Sequence, residues 1–188
     1  YCSKILSKNS VILLLVSSAL SPLDVLNFLS NSCSCDGSLV CLSFINMQVL
    51  TTKQEIIRQV EACIRQNKTI GLVPTMGALH EGHAALVRRA VQENDVCVVS
   101  VFVNPTQFNN PEDLQKYPRT LDKDVELLTQ LGVHFVFAPS AEEMYSAEEM
   151  NAQFSFDFNG LDRVMEGKMR PGHFNGVVQV VSKLFELV

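Results

Sequence analysis

The stretch that decides the fold, residues 69–104, reads TIGLVPTMGALHEGHAALVRRAVQENDVCVVSVFVN. It opens with a short apolar run, TIGLVPT, which predicts a buried strand that ends at Pro74. The segment HEGHAALVRRAVQEN then carries apolar residues at helical spacing, and DVCVVSVFVN is a second apolar, β-branched run that stops at Asn104 and Pro105. A strand, a helix and a second strand in this order predict a unit of parallel sheet with a helix packed across it.

Segments on either side extend the same pattern. TTKQEIIRQVEACIRQN predicts a helix capped by Thr52 and Glu55, and LDKDVELLTQLG predicts a helix with Val125, Leu128 and Leu131 inward. VHFVFAPS predicts a third strand, and FNGVVQVVSKLFELV predicts a last amphipathic helix. Fully apolar strands that alternate with helices indicate an α/β fold. We expect a Rossmann-like parallel sheet with flanking helices, whose ligand crevice lies at the carboxyl ends of the strands.

Two other segments have weaker patterns. Residues 104–120 contain Pro105, Pro111 and Pro118 and predict a long ordered loop, which in a compact domain is usually functional or disordered. FSFDF, residues 154–158, alternates in the manner of a half-exposed strand.

Length and composition bound the class of protein. The chain has 188 residues, 47% of them hydrophobic and 19% charged, which is typical of one globular domain with a substantial core. Its net charge is −5, so no general basic field favours nucleic acid as a partner. A local basic pocket can still bind a phosphorylated ligand.

Residues 1–46 differ from the rest of the chain. They contain only four charged residues, Lys4, Lys8, Asp24 and Asp36, and four of the six cysteines. The run VILLLVSSALS is similar to the apolar core of a signal peptide but is too short to span a bilayer as a helix, so we expect no membrane partner. Three interpretations stay open: a translated upstream stretch outside the true protein, which we favour, a targeting segment, or an extra structural element.

The remaining cysteines, Cys63 and Cys97, lie in apolar surroundings. We expect both to be buried thiols and see no disulfide framework in the spacing of the cysteines. A reducing cytoplasm is therefore the expected location.

Between the first strand of the unit and its helix lies PTMGALHEGH, residues 74–83, whose composition predicts a phosphate site. Gly77 and Gly82 allow close backbone approach, and a helix that begins near His80 directs free N–H groups and a positive dipole end at the crevice. His80 and His83 are one helical turn apart and add donors on the same side. An imidazole there could stabilise charge on a transferring phosphoryl group.

Two other interpretations of the histidines are open. They could be exposed polar residues at a helix start, a weaker interpretation beside the flanking glycines and strand. HEGH is similar to the start of a metalloprotease helix, but that motif needs its histidines four residues apart, and position 84 is an alanine. We therefore expect no metal site built from protein ligands.

PTMGALHEGH resembles the HxGH signature of the nucleotidyltransferase superfamily, and further motifs narrow the resemblance. FVNPTQF, EDLQKYPRTLDKD, FAPSAEEMY, MEGKMRPGHFNGV and VSKLF together make residues 47–188 similar to the pantothenate synthetase family. The resemblance implies a two-step ligation: pantoate attacks the α-phosphate of ATP to give a pantoyl adenylate and pyrophosphate, and β-alanine then displaces AMP to give pantothenate. It also implies Mg²⁺ with the nucleotide and a homodimer.

The same resemblance implies roles for individual residues. His83 and His80 are the catalytic candidates, and His83 occupies the position assigned as proton donor in the family. We favour charge stabilisation, because the pantoate carboxylate is already ionised at neutral pH and needs no base. Gln107, Asn104 and Tyr117 are the candidates for binding pantoate and β-alanine. The residues expected to bind ATP are Pro74, Thr75, Met76, Gly77, Ala78, Leu79, His80, Glu81, Gly82 and His83.

Some of these assignments have open alternatives. Asn104 and Gln107 could instead only organise a turn before Pro105, and Arg170, His173 and Asn175 of the RPGHFNG segment could bind a ligand or cap the last helix. For the function as a whole, the rivals are another HxGH nucleotidyltransferase, acting on a phosphorylated acceptor, and a non-catalytic nucleotide-binding module.

The extent of the chain departs from the family pattern. Members of the family continue past the VSKLF motif into further strands, a segment that supplies a lysine, and a smaller C-terminal lid domain. We therefore expect a non-native or upstream segment of low order at residues 1–46, an incomplete, C-terminally truncated nucleotide-binding domain at 47–188, and no lid domain. This chain alone is expected to form no pantothenate.

Overall fold

The computed structural model of the protein describes residues 47–151, 156–160, 168 and 170–188. The expectations for residues 1–46, including the run similar to a signal peptide, lie outside the described residues, as do residues 154–155 of the FSFDF segment. In the described ranges, strands and helices alternate along most of the chain.

Four short strands form one parallel sheet. They are β1 (Gln48–Leu50), β2 (Ile70–Thr75), β3 (Val96–Val101) and β4 (Phe135–Phe137), in the spatial order β1-β4-β3-β2. Strands β2 and β3 pair along their full length, from Ile70 opposite Val96 to Thr75 opposite Val101, so their carboxyl ends lie side by side. The predicted α/β fold with a Rossmann-like parallel sheet is confirmed. The three-residue strand β1 is absent from the sequence prediction.

The helices that connect and cover these strands are α1 (Lys53–Arg65), α2 (Glu81–Glu93), α3 (Pro111–Lys116), α4 (Leu121–Gln130), α5 (Ala141–Met144), α6 (Ala147–Asn151) and α7 (His173–Leu187). The predicted capping box of α1 is confirmed. Thr52 Oγ1 accepts from the Glu55 N–H at 3.3 Å, and the Glu55 carboxylate accepts from the Thr52 N–H at 3.0 Å. None of these helices combines the length and the apolar character that crossing a bilayer requires.

Neighbouring residues of each central strand alternate between two cores. Leu72 and Val98 belong to a core packed by α1 and α7, whereas Val73 and Val99 belong to a core packed by α2 and α4. All four side chains are fully buried. The sheet is therefore covered on both faces, which explains why its strands read as continuous apolar runs. The predicted burial of the thiols is confirmed too, since Cys97 lies in one core and Cys63 in the other.

The sequence predicts a long ordered loop for the proline-rich segment after β3, but part of this segment is helical. It contains a 3₁₀ helix at Pro105–Gln107 and the short helix α3. Asn104 and Asn110 cap these two elements, and each cap is followed by a proline at the first helical position, where no N–H is needed. Pro105 and Pro111 therefore begin helical turns.

The FSFDF segment is not a strand where the structure describes it. Residues 156–158 have no regular secondary structure, and the Phe156 N–H donates to Asn175 Oδ1 in the first turn of α7 at 3.1 Å. The rings of Phe158 and Phe174 are 5.9 Å apart. The described residues of this segment therefore pack on α7 and do not extend the sheet.

Candidate active site

A cavity of about 450 Å³ opens at the carboxyl ends of β2 and β3, where a parallel sheet commonly places its ligand crevice. Its walls are the turn after β2, the segment after β3 and one face of α7. Leu79, Glu81, Gly82 and Asn104, although predicted as site residues, do not line it. The other nine predicted site residues do: Pro74, Thr75, Met76, Gly77, Ala78, His80, His83, Gln107 and Tyr117.

The turn after β2 has a left-handed backbone at two successive residues, with φ of +79° at Gly77 and +51° at Ala78. Glycine accepts this conformation freely, whereas alanine is disfavoured there by about 1–2 kcal/mol. The N–H groups of the turn have partners within the protein. Gly77 donates to Thr75 Oγ1 at 3.3 Å, and Ala78 and Leu79 donate to the Asp124 carboxylate at 2.9 and 2.8 Å. These backbone donors are therefore not available to a phosphate.

His80 is the N-cap of α2. Its Nδ1 accepts from the Gly82 N–H at 3.1 Å, and its own N–H donates to His83 Nδ1 at 3.3 Å. An added Cβ at position 82 would lie 2.9 Å from His80 Cε1, so glycine lets the ring lie over the helix start. The expectation of free N–H groups at this helix start is wrong for Gly82, because the histidine already accepts its N–H.

Both imidazoles are held in one tautomer. Because each Nδ1 accepts a backbone N–H, each neutral ring carries its proton on Nε2. The ring centroids of His80 and His83 are 4.0 Å apart, and both rings line the cavity. Two neighbouring Nε2–H donors suit an anionic oxygen. At this helix start, the two side chains therefore offer donors to a ligand.

The His83 imidazole is neutral at physiological pH. Burial, and to a smaller extent the adjacent His80, lower the pKa of His83 from 6.5 to about 4, against an opposing effect of the Asp124 carboxylate. An imidazole in this state is a hydrogen-bond donor and not a cation. A neutral ring with its Nδ1 occupied by the His80 N–H can stabilise charge through its Nε2–H group and has no additional proton to give.

Gln107 is a buried amide in the 3₁₀ helix, with an exposed fraction of 7%. Its Oε1 accepts from Asn104 Nδ2 at 3.0 Å, and its Nε2 faces the sulfur atom of Met76, 3.6 Å away, at the cavity wall. A thioether sulfur is a weak acceptor. Gln107 therefore keeps donor capacity for an oxygen atom of a ligand.

Asn104 lies behind Gln107 and is fully buried. Its Nδ2 donates to Gln107 Oε1 and to the Gly176 carbonyl oxygen, each at 3.0 Å. Its Oδ1 accepts from Thr106 Oγ1 and from the Tyr145 hydroxyl, also at 3.0 Å. Every polar atom of this amide has partners inside the protein. The structure thus places Asn104 as the support of Gln107 and not on the cavity wall.

Helix α7 meets this network at Gly176. A Cβ added there would overlap the carbonyl oxygen of Thr106 and lie 2.9 Å from the Cα of Gln107. Only glycine permits this approach, which brings the helix main chain within reach of Asn104.

Tyr117, Arg170 and His173 complete the polar part of the wall. Tyr117 is half-buried and packs edge-on against Phe108, with 5.7 Å between ring centroids. Burial raises the pKa of Tyr117, so its hydroxyl stays protonated and can donate. His173 is the first residue of α7, and its Nδ1 lies 3.2 Å from the Gln107 carbonyl oxygen. The RPGHFNG segment therefore begins the helix and also reaches the cavity.

Residues 48–188 match the model of the Pantoate-beta-alanine ligase family. The chain belongs to this family. It is 60% identical over 142 residues to the pantothenate synthetase of Phocaeicola vulgatus and 58% identical over 142 residues to that of Bacteroides thetaiotaomicron. Each alignment covers 76% of this chain and 49% of the relative, so the chain spans about half the length of the curated relatives it matches.

Solved structures of pantoate-β-alanine ligases share the fold. The Francisella tularensis protein, complexed with β-γ ATP and β-alanine, has a TM-score of 0.69 at 42% identity, over 75% of this chain and 53% of that chain. The Thermus thermophilus protein has a TM-score of 0.66 at 46% identity, over 76% of this chain and 49% of that chain. The predicted family is thus confirmed.

Sequence reasoning about this member of the pantoate-β-alanine ligase family missed Asp124. Of the residues expected inward on α4, Leu128 is fully buried, whereas Val125 and Leu131 are only half-buried. Asp124 faces inward instead, with an exposed fraction of 4%. Acidic residues in the first turn of a helix are common and usually solvated. The available signal is spacing, because Asp124, Leu128 and Leu131 follow the i, i+4, i+7 pattern of one buried face.

Proposed function

We propose that the protein that contains this sequence ligates pantoate to β-alanine to form pantothenate, with conversion of ATP to AMP and pyrophosphate. One observation carries the proposal: a single cavity brings together the paired imidazoles of His80 and His83 and the amide of Gln107. Membership of the pantoate-β-alanine ligase family and similarity to a member complexed with β-γ ATP and β-alanine support it.

In the first proposed step, a carboxylate oxygen of pantoate attacks the α-phosphorus of ATP. The bond from that phosphorus to the bridging oxygen breaks, and pyrophosphate leaves with the electron pair. The attacking carboxylate needs no general base, because ordinary carboxyl groups have a pKa of about 4. Charge on the phosphate oxygens needs stabilisation, and the Nε2–H donors of His80 and His83 supply it. The product that stays bound is pantoyl adenylate.

In the second proposed step, the amine of β-alanine attacks the acyl carbon of the adenylate. The bond from that carbon to the AMP oxygen breaks, AMP leaves, and the new amide loses a proton to solvent. Gln107, held by Asn104, and Tyr117 place the acid substrates through the Gln107 amide N–H₂ group and the Tyr117 hydroxyl. The valines of α7 form an apolar wall, and a small acid in such a pocket needs only a few placed polar groups.

Mg²⁺ is proposed as the counter-ion of the nucleotide. The described residues contain no group of three or more histidine, cysteine or acidic side chains that could hold a metal ion. Near the turn, both Asp124 oxygens accept hydrogen bonds, and Glu81 pairs with Arg88 at 2.5 Å. Because these residues do not form a metal site of their own, we propose that phosphate oxygens and water hold the ion, as is common for Mg²⁺.

Three further proposals concern the organisation of the protein. Residues 47–188 form the nucleotide-binding part, with residues 1–46 outside it, and the protein is a homodimer in solution. A cytoplasmic location is supported by the free, buried thiols of Cys63 and Cys97. Sedimentation of the purified protein tests the dimer, and expression from Met47 tests the boundary, since the fold should form without the first 46 residues.

Exchange of pyrophosphate into ATP tests the function. The longest open reading frame that contains this sequence should catalyse the exchange only with pantoate present, and should form pantothenate once β-alanine is added. Exchange that needs a phosphorylated acceptor would establish the rival HxGH nucleotidyltransferase. ATP binding without any exchange would establish the non-catalytic module.

The 188-residue chain is a separate test. Arg170 is the only lysine or arginine among the described residues that line the cavity. Phosphoryl transfer usually relies on several cationic groups around the phosphates, and the described part of this wall supplies one. We propose that the chain alone binds ATP weakly and forms no pantothenate. Pantothenate formation above background by the purified chain would contradict this.

A further inference from the structure

We propose that Asp124 positions the ATP-binding turn: its buried carboxylate holds Ala78 in a left-handed conformation and thereby sets the places of His80 and His83. This inference rests on the proposed function, since it concerns the nucleotide site. Asp124 does not line the cavity of the two imidazoles and acts on it only through the turn.

Three hydrogen bonds converge on the carboxylate. Oδ2 accepts from the Ala78 N–H at 2.9 Å and from Thr120 Oγ1 at 3.2 Å, and Oδ1 accepts from the Leu79 N–H at 2.8 Å. The two main-chain donors are 46 and 45 residues from Asp124 in the sequence, so the bonds join α4 to the turn after β2. Hydrogen bonds from N–H groups to an ionised carboxylate are about twice as strong as those between neutral groups.

Among the described residues, no cation lies within ion-pair distance of the buried carboxylate. Its residue is 4% exposed, and none of the ion pairs formed within the described part of the chain includes it. Asp124 and Arg119 both line a second cavity, of about 390 Å³, that shares Met76 and Gly77 with the first, but no ion pair joins them. Buried carboxylates are rare unless partners stabilise them. The two N–H donors of the turn and the Thr120 hydroxyl therefore stabilise this charge.

The turn leads directly into the N-cap of α2. Ala78 has a φ of +51°, and its Cβ opposes this conformation, so the turn needs an external constraint. Leu79 is the last residue before His80, whose ring caps the helix. His83 Nδ1 accepts the His80 N–H, so a change in the path of residues 78 and 79 moves both imidazoles together.

The charge of Asp124 acts in the opposite direction to its hydrogen bonds. A carboxylate near a phosphate site repels the ligand, so loss of the charge alone would strengthen ATP binding. In Asp124→Asn, an amide N–H₂ group faces either the Ala78 or the Leu79 N–H, and one buried donor loses its acceptor. Positioning therefore predicts weaker ATP binding, and the sign of the change separates the two effects.

The experiment compares Asp124→Asn with Asp122→Asn in the longest open reading frame that contains this sequence. Asp122 is an exposed residue of the same first turn of α4, so its substitution removes the same charge from the same helix. Calorimetry gives the Kd for ATP, and pantoate-dependent exchange gives the KM of each substrate. We expect Asp124→Asn to weaken ATP binding about 10-fold with an unchanged KM for pantoate, and Asp122→Asn to change ATP binding by less than about twofold.

Ala78→Gly separates positioning from general destabilisation. Glycine adopts the left-handed conformation without an external constraint, so Ala78→Gly should recover at least about threefold of the ATP affinity lost in Asp124→Asn, measured against the Ala78→Gly single variant. Loss of packing around α4 would not be repaired by this change. ATP binding by Asp124→Asn that equals or exceeds the wild-type value, or no recovery in the double variant, would overturn the inference.

Two further outcomes are decisive. If circular dichroism shows that Asp124→Asn does not fold, Thr120→Val replaces it. This variant loses one of the three hydrogen bonds and should bind ATP about two- to threefold more weakly, with recovery by Ala78→Gly, and unchanged binding would overturn the inference.

Failure of the proposed function is distinct: ATP binding and its response to Asp124→Asn persist, but pantoate triggers no exchange. Wild-type protein that binds no ATP would overturn both.

Discussion

The turn after β2 and the 3₁₀ helix after β3 stand at neighbouring strand ends and face one cavity, but they are held in different ways. A charged side chain from another helix, Asp124, fixes the strained main chain of the turn. Neutral groups fix the 3₁₀ helix, where Asn104 links Gln107 to Tyr145 and to the main chain of α7. We therefore expect changes in the turn to affect nucleotide chemistry, and changes behind the 3₁₀ helix to affect stability and acid binding.

His83→Ala should have the largest effect, and it tests the role of the turn after β2 in nucleotide chemistry. It removes a donor to the phosphates together with the acceptor of the His80 N–H. Loss of one such donor commonly lowers the rate by about 10²–10³, and we expect a decrease of this size in pantoate-dependent exchange. Gln92→Ala, an exposed change on the same helix, is the control. Unchanged pyrophosphate release by His83→Ala would refute the assignment.

Gly176→Ala tests the contacts behind the 3₁₀ helix and should lower the free energy of unfolding. The new methyl group overlaps the Thr106 carbonyl and forces α7 away from Asn104, which loses the acceptor of one N–H. Overpacking of this kind usually lowers the free energy of unfolding by about 1–3 kcal/mol, which urea titration measures. Ser182→Ala, exposed on the same helix, should change it by less than about 0.5 kcal/mol. Equal stability of the two variants would show that α7 does not dock through Gly176.

A pH titration sharpens the comparison, because the turn contains a titratable ring and the amides behind the 3₁₀ helix do not titrate. The folded-state pKa of His83, about 4, lies below its ordinary value of 6.5, so between these values the unfolded chain binds a proton that the folded chain does not. The contribution of His83 to the free energy of unfolding is therefore fully present above pH 6.5. It is lost as the pH falls from 6.5 to 4.

The ring is partly open to solvent, so the loss should be well below the figure of about 3 kcal/mol that the full shift corresponds to. It is measured as the difference in unfolding free energy between the wild type and His83→Gln across this pH range. An NMR titration that places the pKa of His83 at its ordinary value of 6.5 would contradict the prediction.

Gln107→Ala tests whether the 3₁₀ helix serves the acid substrate. Removal of a single donor should raise the KM for pantoate about 10-fold and leave the KM for ATP nearly unchanged, which steady-state kinetics measures. Gln115→Ala, an exposed glutamine in α3, provides the control. A pantoate dependence like that of the wild type would count against the role of Gln107.

Lys116→Ala should have the smallest effect. Lys116 and Glu112 form a pair at 3.5 Å, but their side chains are 76% and 72% exposed, so loss of the pair should change stability by less than about 0.5 kcal/mol. Exchange with pantoate should also be unchanged. Lys116 is the only lysine between residues 104 and 118, so a clear loss of exchange would favour a phosphorylated acceptor and the rival nucleotidyltransferase.

The central part of the fold was predictable because its signals are long and local. Strands β2 and β3 and helix α2 are apolar runs and a periodic segment of 6 to 13 residues each. Strand β1 has three residues and no period to detect, and α3 begins with a proline that also suits a loop. Short elements therefore depend on tertiary contacts that a single sequence does not display.

The residues of the site also divide into those that the local sequence predicts and those that it does not. The places of His80, His83 and Gln107 on the cavity wall were predictable because motif and spacing mark them within a few residues. Asp124 was not, because its partners at the turn lie 45 and 46 residues away. The supporting role of Asn104 was not predictable for the same reason. It depends on a contact with Gly176, which lies 72 residues further along the chain.

The way in which the two rings cap helix α2 also determines how they respond to a metal ion. Coordination needs a lone pair on a ring nitrogen. In both rings the Nδ1 lone pair already faces a main-chain N–H, and Nε2 carries the proton. To bind zinc through Nε2, each ring would have to shift its proton to Nδ1, against an N–H donor, and both caps would be lost. The HEGH segment therefore disfavours transition metals through proton placement as well as through the spacing of its histidines.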